Sequence, residues 1–307
     1  MGRDGVGVMM WNSSPHLVAE GFGGRSAGAT ALPASPLPRL QLFEWHELTW
    51  FPESFRNAIT EVLRVLGLCL RLHEVIAPVL AQLLVETGTD RIVDLCSGAG
   101  GPVLEIQKHF AATGRPVSVL LTDKFPNRAA FRLAEAAGGG FITGRDEPVD
   151  AARVPESASG LRTMFNAFHH FRPAAARAIL ADAYGHRQPI AIFEVTERSL
   201  FNTVSNFILS FLTMLALLPT MRARRPEWWS FTYALPLLPA AFGWDGFASC
   251  MRSYTAAEFD RLKDGLEDES YTWRSGRLPV PGTLVHVNYF LGIPRGAAGV
   301  RAGKQRA

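Results

Sequence analysis

The run Arg91-Ile-Val-Asp-Leu-Cys-Ser-Gly-Ala-Gly-Gly-Pro-Val103 constrains the fold more than any other stretch. Its first five residues read as a short buried strand. The glycines that follow let backbone N–H groups approach a ligand with no Cβ in the way. Pro102 suits a first helical position, where its missing N–H costs nothing. The helix from about Val103 to Phe110 would then aim its free N–H groups at whatever the loop holds.

The same rhythm continues. Pro116–Thr122 reads as a second strand ending at Asp123, followed by a helix over Arg128–Ala137. Gly140–Gly144 reads as a weak third strand and Leu161–Phe165 as a fourth. A helix over Ala174–Gly185 leads to a fifth strand, Ile190–Val195, and Leu284–Leu291 reads as a final strand closed by Ile293-Pro294. Strands alternating with helices across short loops predict a mostly parallel sheet covered on both faces. Before the sheet, apolar residues at helical spacing predict one or two amphipathic helices over Glu53–Glu86. They follow an aromatic and acidic stretch, Phe43–Pro52.

A glycine loop alone is a weak signal. A dinucleotide fingerprint needs G-x-G-x-x-G, and here Gly98 and Gly100 fit but the third position is Val103. Asp94-Leu-Cys-Ser-Gly98-Ala-Gly100 instead resembles the class I S-adenosylmethionine-dependent methyltransferase pattern D-x-G-x-G-x-G, with Cys96 in place of the first glycine. That resemblance is good over 88–198 and loose elsewhere. It implies a Rossmann-like α/β fold: a mostly parallel seven-stranded sheet with helices on both faces, a helical N-terminal cover, and an apolar helical insert before the last strands.

The resemblance also implies S-adenosyl-L-methionine as cofactor, held by Asp94, Cys96, Ser97, Gly98, Gly100, Asp123, Lys124, Asp150 and Asn166. A carboxylate at Asp123 suits bidentate acceptance from two ribose hydroxyls. Asp150 corresponds to an acidic residue that meets the adenine amino group in the family. The segment Phe165-Asn-Ala-Phe-His-His-Phe171 resembles the small-molecule branch, where a similar His-His-Phe follows the fourth strand. Nucleic-acid methyltransferases carry Asn/Asp-Pro-Pro-Tyr-like or Pro-Cys motifs there, and neither is present, so no nucleic-acid partner is expected.

Methyl transfer from a sulfonium needs mainly positioning and exclusion of water. A base is needed only for a hydroxyl or protonated amine. His170 is the first candidate and His169 the second, and His170 could instead hydrogen-bond and shape the cofactor pocket. Glu194, Glu197 and Arg198 follow the fifth strand, on the edge where open α/β sheets bind ligands. Glu194 is the third catalytic candidate, as an anchor for the acceptor; pairing with Arg198 is the structural alternative. Asp245 and Arg252 could reach the site or pair with each other. Thr255 and Glu258 fit a capping box.

Leu200–Met221 contains no charged residue and is long enough to be a membrane-span candidate. Asn202, Asn206, Ser210 and Thr213 recur on one helical face, which argues against a bare span. A monotopic insert over 200–244 fits better, its polar stripe on the enzyme and its apolar face on lipid, with Arg222, Arg224, Arg225, Trp228 and Trp229 at headgroup level. A buried lid is the alternative. Either would lie where acceptor specificity is set and suggests a lipophilic or aromatic small-molecule acceptor. A non-catalytic, membrane-associated module on the same fold is the rival functional reading.

The chain thus divides into a disordered tail (1–38), a methyltransferase domain (39–295, with a cofactor core at 88–198 and an insert or lid at 199–250), and a basic tail (296–307). The 307 residues carry a formal net charge of +3, too little for a nucleic-acid footprint. The N-terminus has no signal-peptide layout, and Cys69, Cys96 and Cys250 show no disulfide or zinc spacing, which suits a cytoplasmic protein at the inner membrane face. No metal is expected.

Overall fold

The computed structural model describes residues 30, 32, 35–221 and 225–295. The basic tail, Arg222, Arg224 and most of the 1–38 segment lie outside them. Of that segment Thr30 is described, and its backbone pairs with Arg277 in both directions, at 3.1 and 3.0 Å.

A single sheet organises the molecule: β1 (Arg91–Asp94), β2 (Ser118–Leu121), β3 (Ile142–Gly144), β4 (Leu161–Phe165), β5 (Ile190–Glu194), β6 (Tyr271–Pro279) and β7 (His286–Pro294). Its order is β3-β2-β1-β4-β5-β7-β6. The first five strands are parallel, and β7 runs antiparallel between β5 and β6. The helices are α1 (Glu53–Cys69), α2 (Leu72–Thr87), α3 (Gly101–Ala112), α4 (Arg128–Ala137), α5 (Pro173–Gly185), α6 (Leu200–Leu217), the short α7 (Pro226–Trp229), α8 (Leu237–Arg252) and α9 (Ala256–Lys263).

Alternation along each strand assigns the two faces. Ile92, Val119, Leu121 and Ala191 face one core with α2, α3 and α4. Val93, Leu120, Met164 and Ile192 face the other, with α5 and α9. β1, β2 and β5 are rich in apolar residues, as strands buried on both sides are, whereas β4 also buries Arg162, paired with Asp182, and Thr163. β6 is different: it is one of the two edge strands, with β3, and Arg274, Ser275, Gly276 and Arg277 break its apolar pattern as protected edges do. It is the strand the sequence pattern did not locate.

A third core lies off the sheet. Ala58, Ile59 and Val62 of α1 pack with Met214 of α6, Trp228, and Leu238 and Phe242 of α8. Trp228 is 2% exposed and donates its indole N–H to Ser54. It therefore belongs to the core, which corrects its expected headgroup position; Trp229 is 40% exposed.

The polar stripe of α6 meets α8. Asn206 donates to Cys250 Sγ at 3.1 Å, and Ser210 donates to Asn206 Oδ1 at 2.8 Å. A Cβ at Gly246 would stand 2.5 Å from Ser210 Oγ, so glycine sets how closely these helices approach. The opposite face of α6 is open, with Phe201, Val204, Ile208, Leu209 and Leu212 all more than half exposed. Leu200–Thr220 is long and apolar enough to cross a membrane, and little of it is buried.

Candidate active site

The strand order reverses between β1 and β4, and open α/β sheets bind ligands outside the carboxyl ends of the strands at that point. The loop from β1 to α3 lies there. Its backbone enters the left-handed region at alternate residues: Cys96 (φ 58°), Gly98 (φ 52°) and Gly100 (φ 71°). Cys96 thus adopts the glycine conformation at the position where the sequence pattern lacks glycine, a strain on the order of 1 kcal/mol. Gly100 is also confined by contact, since a Cβ there would stand 3.3 Å from Leu121.

The loop is tied to β2. Ser97 Oγ donates to the Asp94 carbonyl at 2.9 Å and accepts from the Thr122 N–H at 3.1 Å. Asp123 accepts the Gly98 N–H on one carboxylate oxygen (3.0 Å) and the Phe125 N–H on the other (2.9 Å). These bonds fix the carboxylate beside the exposed loop, and each oxygen keeps a second lone pair. Asp150 accepts from Lys124 Nζ at 2.9 Å and from the Ala152 N–H at 3.0 Å. The Ala152 N–H, then Lys124, hold its carboxyl below the ordinary value.

Asp94 differs from these two. It is 3% exposed and accepts from Thr163 Oγ1 at 2.8 Å, beneath the loop rather than in it. Burial pushes its carboxyl up to about 7, against the pull of Thr163 and Ser97. Asn166 has φ 48°, tolerable for Asn, and its Oδ1 accepts the Val195 N–H at 2.7 Å. Val103 is fully buried in the core between α3 and the sheet, where a dinucleotide fingerprint would place a glycine for close packing.

The second half of the site is a polar cluster at the ends of β4 and β5. The turn Phe168–His170 presents both histidines. Glu194 takes the Phe168 N–H at 2.7 Å and His169 Nδ1 at 2.5 Å, so the expected pairing of Glu194 with Arg198 is replaced by one with His169. Arg198 pairs with Glu258, and Glu197 with Arg277. The local capping box of Thr255 and Glu258 forms as its spacing predicts.

Three further members come from the turn Trp45–Glu47 and the residue before it. His170 Nδ1 lies 2.6 Å from Glu47. Arg252 bridges Glu44 at 2.8 Å and Glu47 at 2.9 Å. His46 Nδ1 lies 3.0 Å from Asp245, whose other oxygen accepts the Trp45 N–H at 2.6 Å. Asp245 and Arg252 therefore do not pair with each other; each anchors the N-terminal turn.

Charge governs the titration of this cluster. Burial alone would raise the Glu44 carboxyl, but His170, His169, His46 and Arg252 outweigh it and hold it low. The same balance, through His170 and Arg252, brings Glu47 to about 2. Burial opposes protonation of His169, yet Glu194 and Glu44 raise it; for His46, Asp245 and Glu44 do so. His170 is lowered, by burial and then by His169. His170 keeps 25% side-chain exposure, against 4% for His169. Glu44, His46 and Glu47 were invisible as site residues in the sequence; the only signal was an acidic, aromatic stretch ahead of the first helix.

A separate open cavity of about 550 Å³ is lined by Arg39, Arg172, Arg177, Tyr254, Glu258 and Arg261 among others, and by none of the loop or cluster residues.

No family model and no curated protein matches this chain. Among solved structures, it is similar to a putative O-methyltransferase from Nostoc punctiforme (17% identity, 70% of this chain and 55% of that one, TM-score 0.39). The plantazolicin methyltransferase BpumL, solved with SAH, is 12% identical over 79% of this chain and 88% of its own, with a TM-score of 0.47. An O-methyltransferase family protein from Burkholderia thailandensis is 14% identical over 73% and 57%, with a TM-score of 0.42. The chain thus spans little more than half the length of the first and third. The site's own geometry carries the functional argument.

Proposed function

We propose that this chain transfers a methyl group from S-adenosyl-L-methionine to an oxygen or nitrogen of a small lipophilic or aromatic molecule. The observation that carries the reading is the left-handed loop at Cys96, Gly98 and Gly100 with the Asp123 carboxylate hydrogen-bonded to it. Alternate left-handed residues curve the backbone into a concavity that suits a polar ligand part, with the Gly98 and Gly100 N–H groups held by Asp123 and the Ser97 carbonyl. A carboxylate at the adjacent strand end suits a ribose diol, and buried Val103 opposes a dinucleotide.

Asp123 takes the ribose hydroxyls, and Asp150, paired with Lys124, takes the adenine edge. Cys96, Ser97, Gly98 and Gly100 supply the loop that receives the amino-acid part, with Asp94 beneath it and Asn166 shaping its far side. His170 contacts the acceptor, while His169 and Glu194 hold the turn that presents it. The chemistry needs the acceptor in line with the methyl group and water excluded. In this reading 88–198 is the cofactor core and 199–250 the acceptor-side insert, within a domain spanning 39–295.

The test is mass spectrometry of products formed from methyl-labelled cofactor and a panel of aromatic and lipophilic acceptors. A product heavier by one labelled methyl supports the reading. Cofactor binding with no product across the panel favours a non-catalytic module.

The open face of α6 supports a second, compatible reading, monotopic contact with a membrane. Contiguous apolar surface of this kind marks an interaction site. Flotation with anionic liposomes should carry the full-length protein. A Leu209→Glu/Leu212→Glu variant should stay behind, and equal flotation of both would dismiss the contact.

A further inference from the structure

We propose that Glu44, His46 and His170 form a binding site for one divalent first-row transition-metal cation. Each offers one ligand atom, and the three atoms lie within 4.8 Å of one another. Glu44 Oε2 stands 3.5 Å from His46 Nδ1 and 3.9 Å from His170 Nδ1. Ligand atoms about 2.1 Å from a cation stand about 3.4 Å apart in a tetrahedral site, so closure needs the separations to shrink by up to about 1.4 Å. Asp245 and Glu47 lie beside the same two imidazole nitrogens, at 3.0 and 2.6 Å, so a cation would displace the protons those nitrogens share with the carboxylates and could take a carboxylate oxygen as a further ligand.

Charge bears on the same place. Glu44, Glu47, Asp245 and Glu194 converge here, and Glu44, Asp245 and Glu194 are at most 5% exposed. Among the described residues Arg252 is the one guanidinium paired with any of the four. Buried carboxylates need compensating charge. Four carboxylates face one guanidinium and the imidazoles of His46, His169 and His170. A divalent cation would add positive charge among these carboxylates while using His46 and His170 in their neutral, ligating form.

Two imidazoles and one carboxylate select first-row transition metals over magnesium or calcium. They also leave coordination positions open. At the ends of β4 and β5, those positions would polarise an acceptor oxygen. Cation binding is measurable without the methyl-transfer reading, so the two stand or fall separately. The proposal departs from the expectation of a metal-free protein, which rested on cysteine spacing.

Untagged, chelator-treated full-length protein should bind one equivalent of Co²⁺, developing visible absorption bands from the mixed nitrogen and oxygen ligands. His46→Gln and His170→Gln should each weaken binding by about 100-fold. Asp123→Ala and His73→Gln should bind Co²⁺ as the wild type does, while Asp123→Ala loses the cofactor. Circular dichroism checks that each variant folds. Wild-type proton NMR with Co²⁺ gives a test free of variants, and shifted resonances from two histidine rings are expected. Absence of stoichiometric binding, retention of binding in both histidine variants, or shifted signals from fewer than two rings would overturn the site.

Discussion

Glu194 reaches from the end of β5 to His169, its Oε2 2.5 Å from Nδ1, while its Oε1 holds the Phe168 N–H at 2.7 Å. One buried carboxylate thus fixes both the backbone and the first imidazole of the turn that presents His170. Removing it strands a buried ring nitrogen and an N–H together. Glu194→Ala should cost about 3 kcal/mol in denaturant unfolding, and Glu194→Gln clearly less, since the amide oxygen can still accept the N–H. Equal losses would mean that the hydrogen bonds do not carry the effect.

Cys96 gives a ranking. Its left-handed backbone disfavours a side chain, most of all a β-branched one. Cys96→Gly should be at least as stable as wild type and should keep cofactor binding. Cys96→Val should lose about 2 kcal/mol and bind the cofactor more weakly. Thermal and urea unfolding of the three proteins checks the order, and a stable Val variant would contradict the loop conformation.

Asp94 gives a pH dependence. Its folded carboxyl titrates near 7 and its unfolded one near 3.8, so the native state holds the extra proton between those values. Its contribution is therefore fully present below about pH 4 and is lost as pH rises through about 7. Relative to Asp94→Asn, the cofactor-free wild type should lose stability from pH 5 to pH 8, by on the order of 2 kcal/mol. A difference that stays flat or grows with pH would show that Asp94 is charged throughout.

Gly246 tests the seating of the apolar helix. A methyl group there meets Ser210 Oγ and forces α6 from α8. Gly246→Ala should destabilise by about 1–3 kcal/mol, and adding Ser210→Ala should recover part of the loss. Additive losses in the double variant would remove this contact from the account.

What was legible in the sequence follows from locality. β1, β2 and β5 are short, mostly apolar runs punctuated by glycine, proline and aspartate, with Arg162-Thr163 of β4 and the three-residue β3 as exceptions, and the Thr255–Glu258 cap spans three residues. The loop conformation was legible except at Cys96, where only coordinates show that a cysteine takes a glycine's φ. β6 was obscured because its edge position selects arginines over an apolar pattern. The polar cluster was half visible. His169 and His170 sit beside a strand end, whereas Glu47 reaches His170 across 123 residues and Arg252 across 205. No periodicity encodes partners that only the folded sheet edge brings together.

The central claim is that the Cys96–Gly100 loop and Asp123 hold S-adenosyl-L-methionine, and calorimetric titration of wild type and Asp123→Ala tests it most directly. Stoichiometric binding to the wild type is expected, weakened about 100-fold or more in the variant, with NAD binding neither protein. Absence of binding to the wild type, or equal affinity in the two proteins, would contradict it.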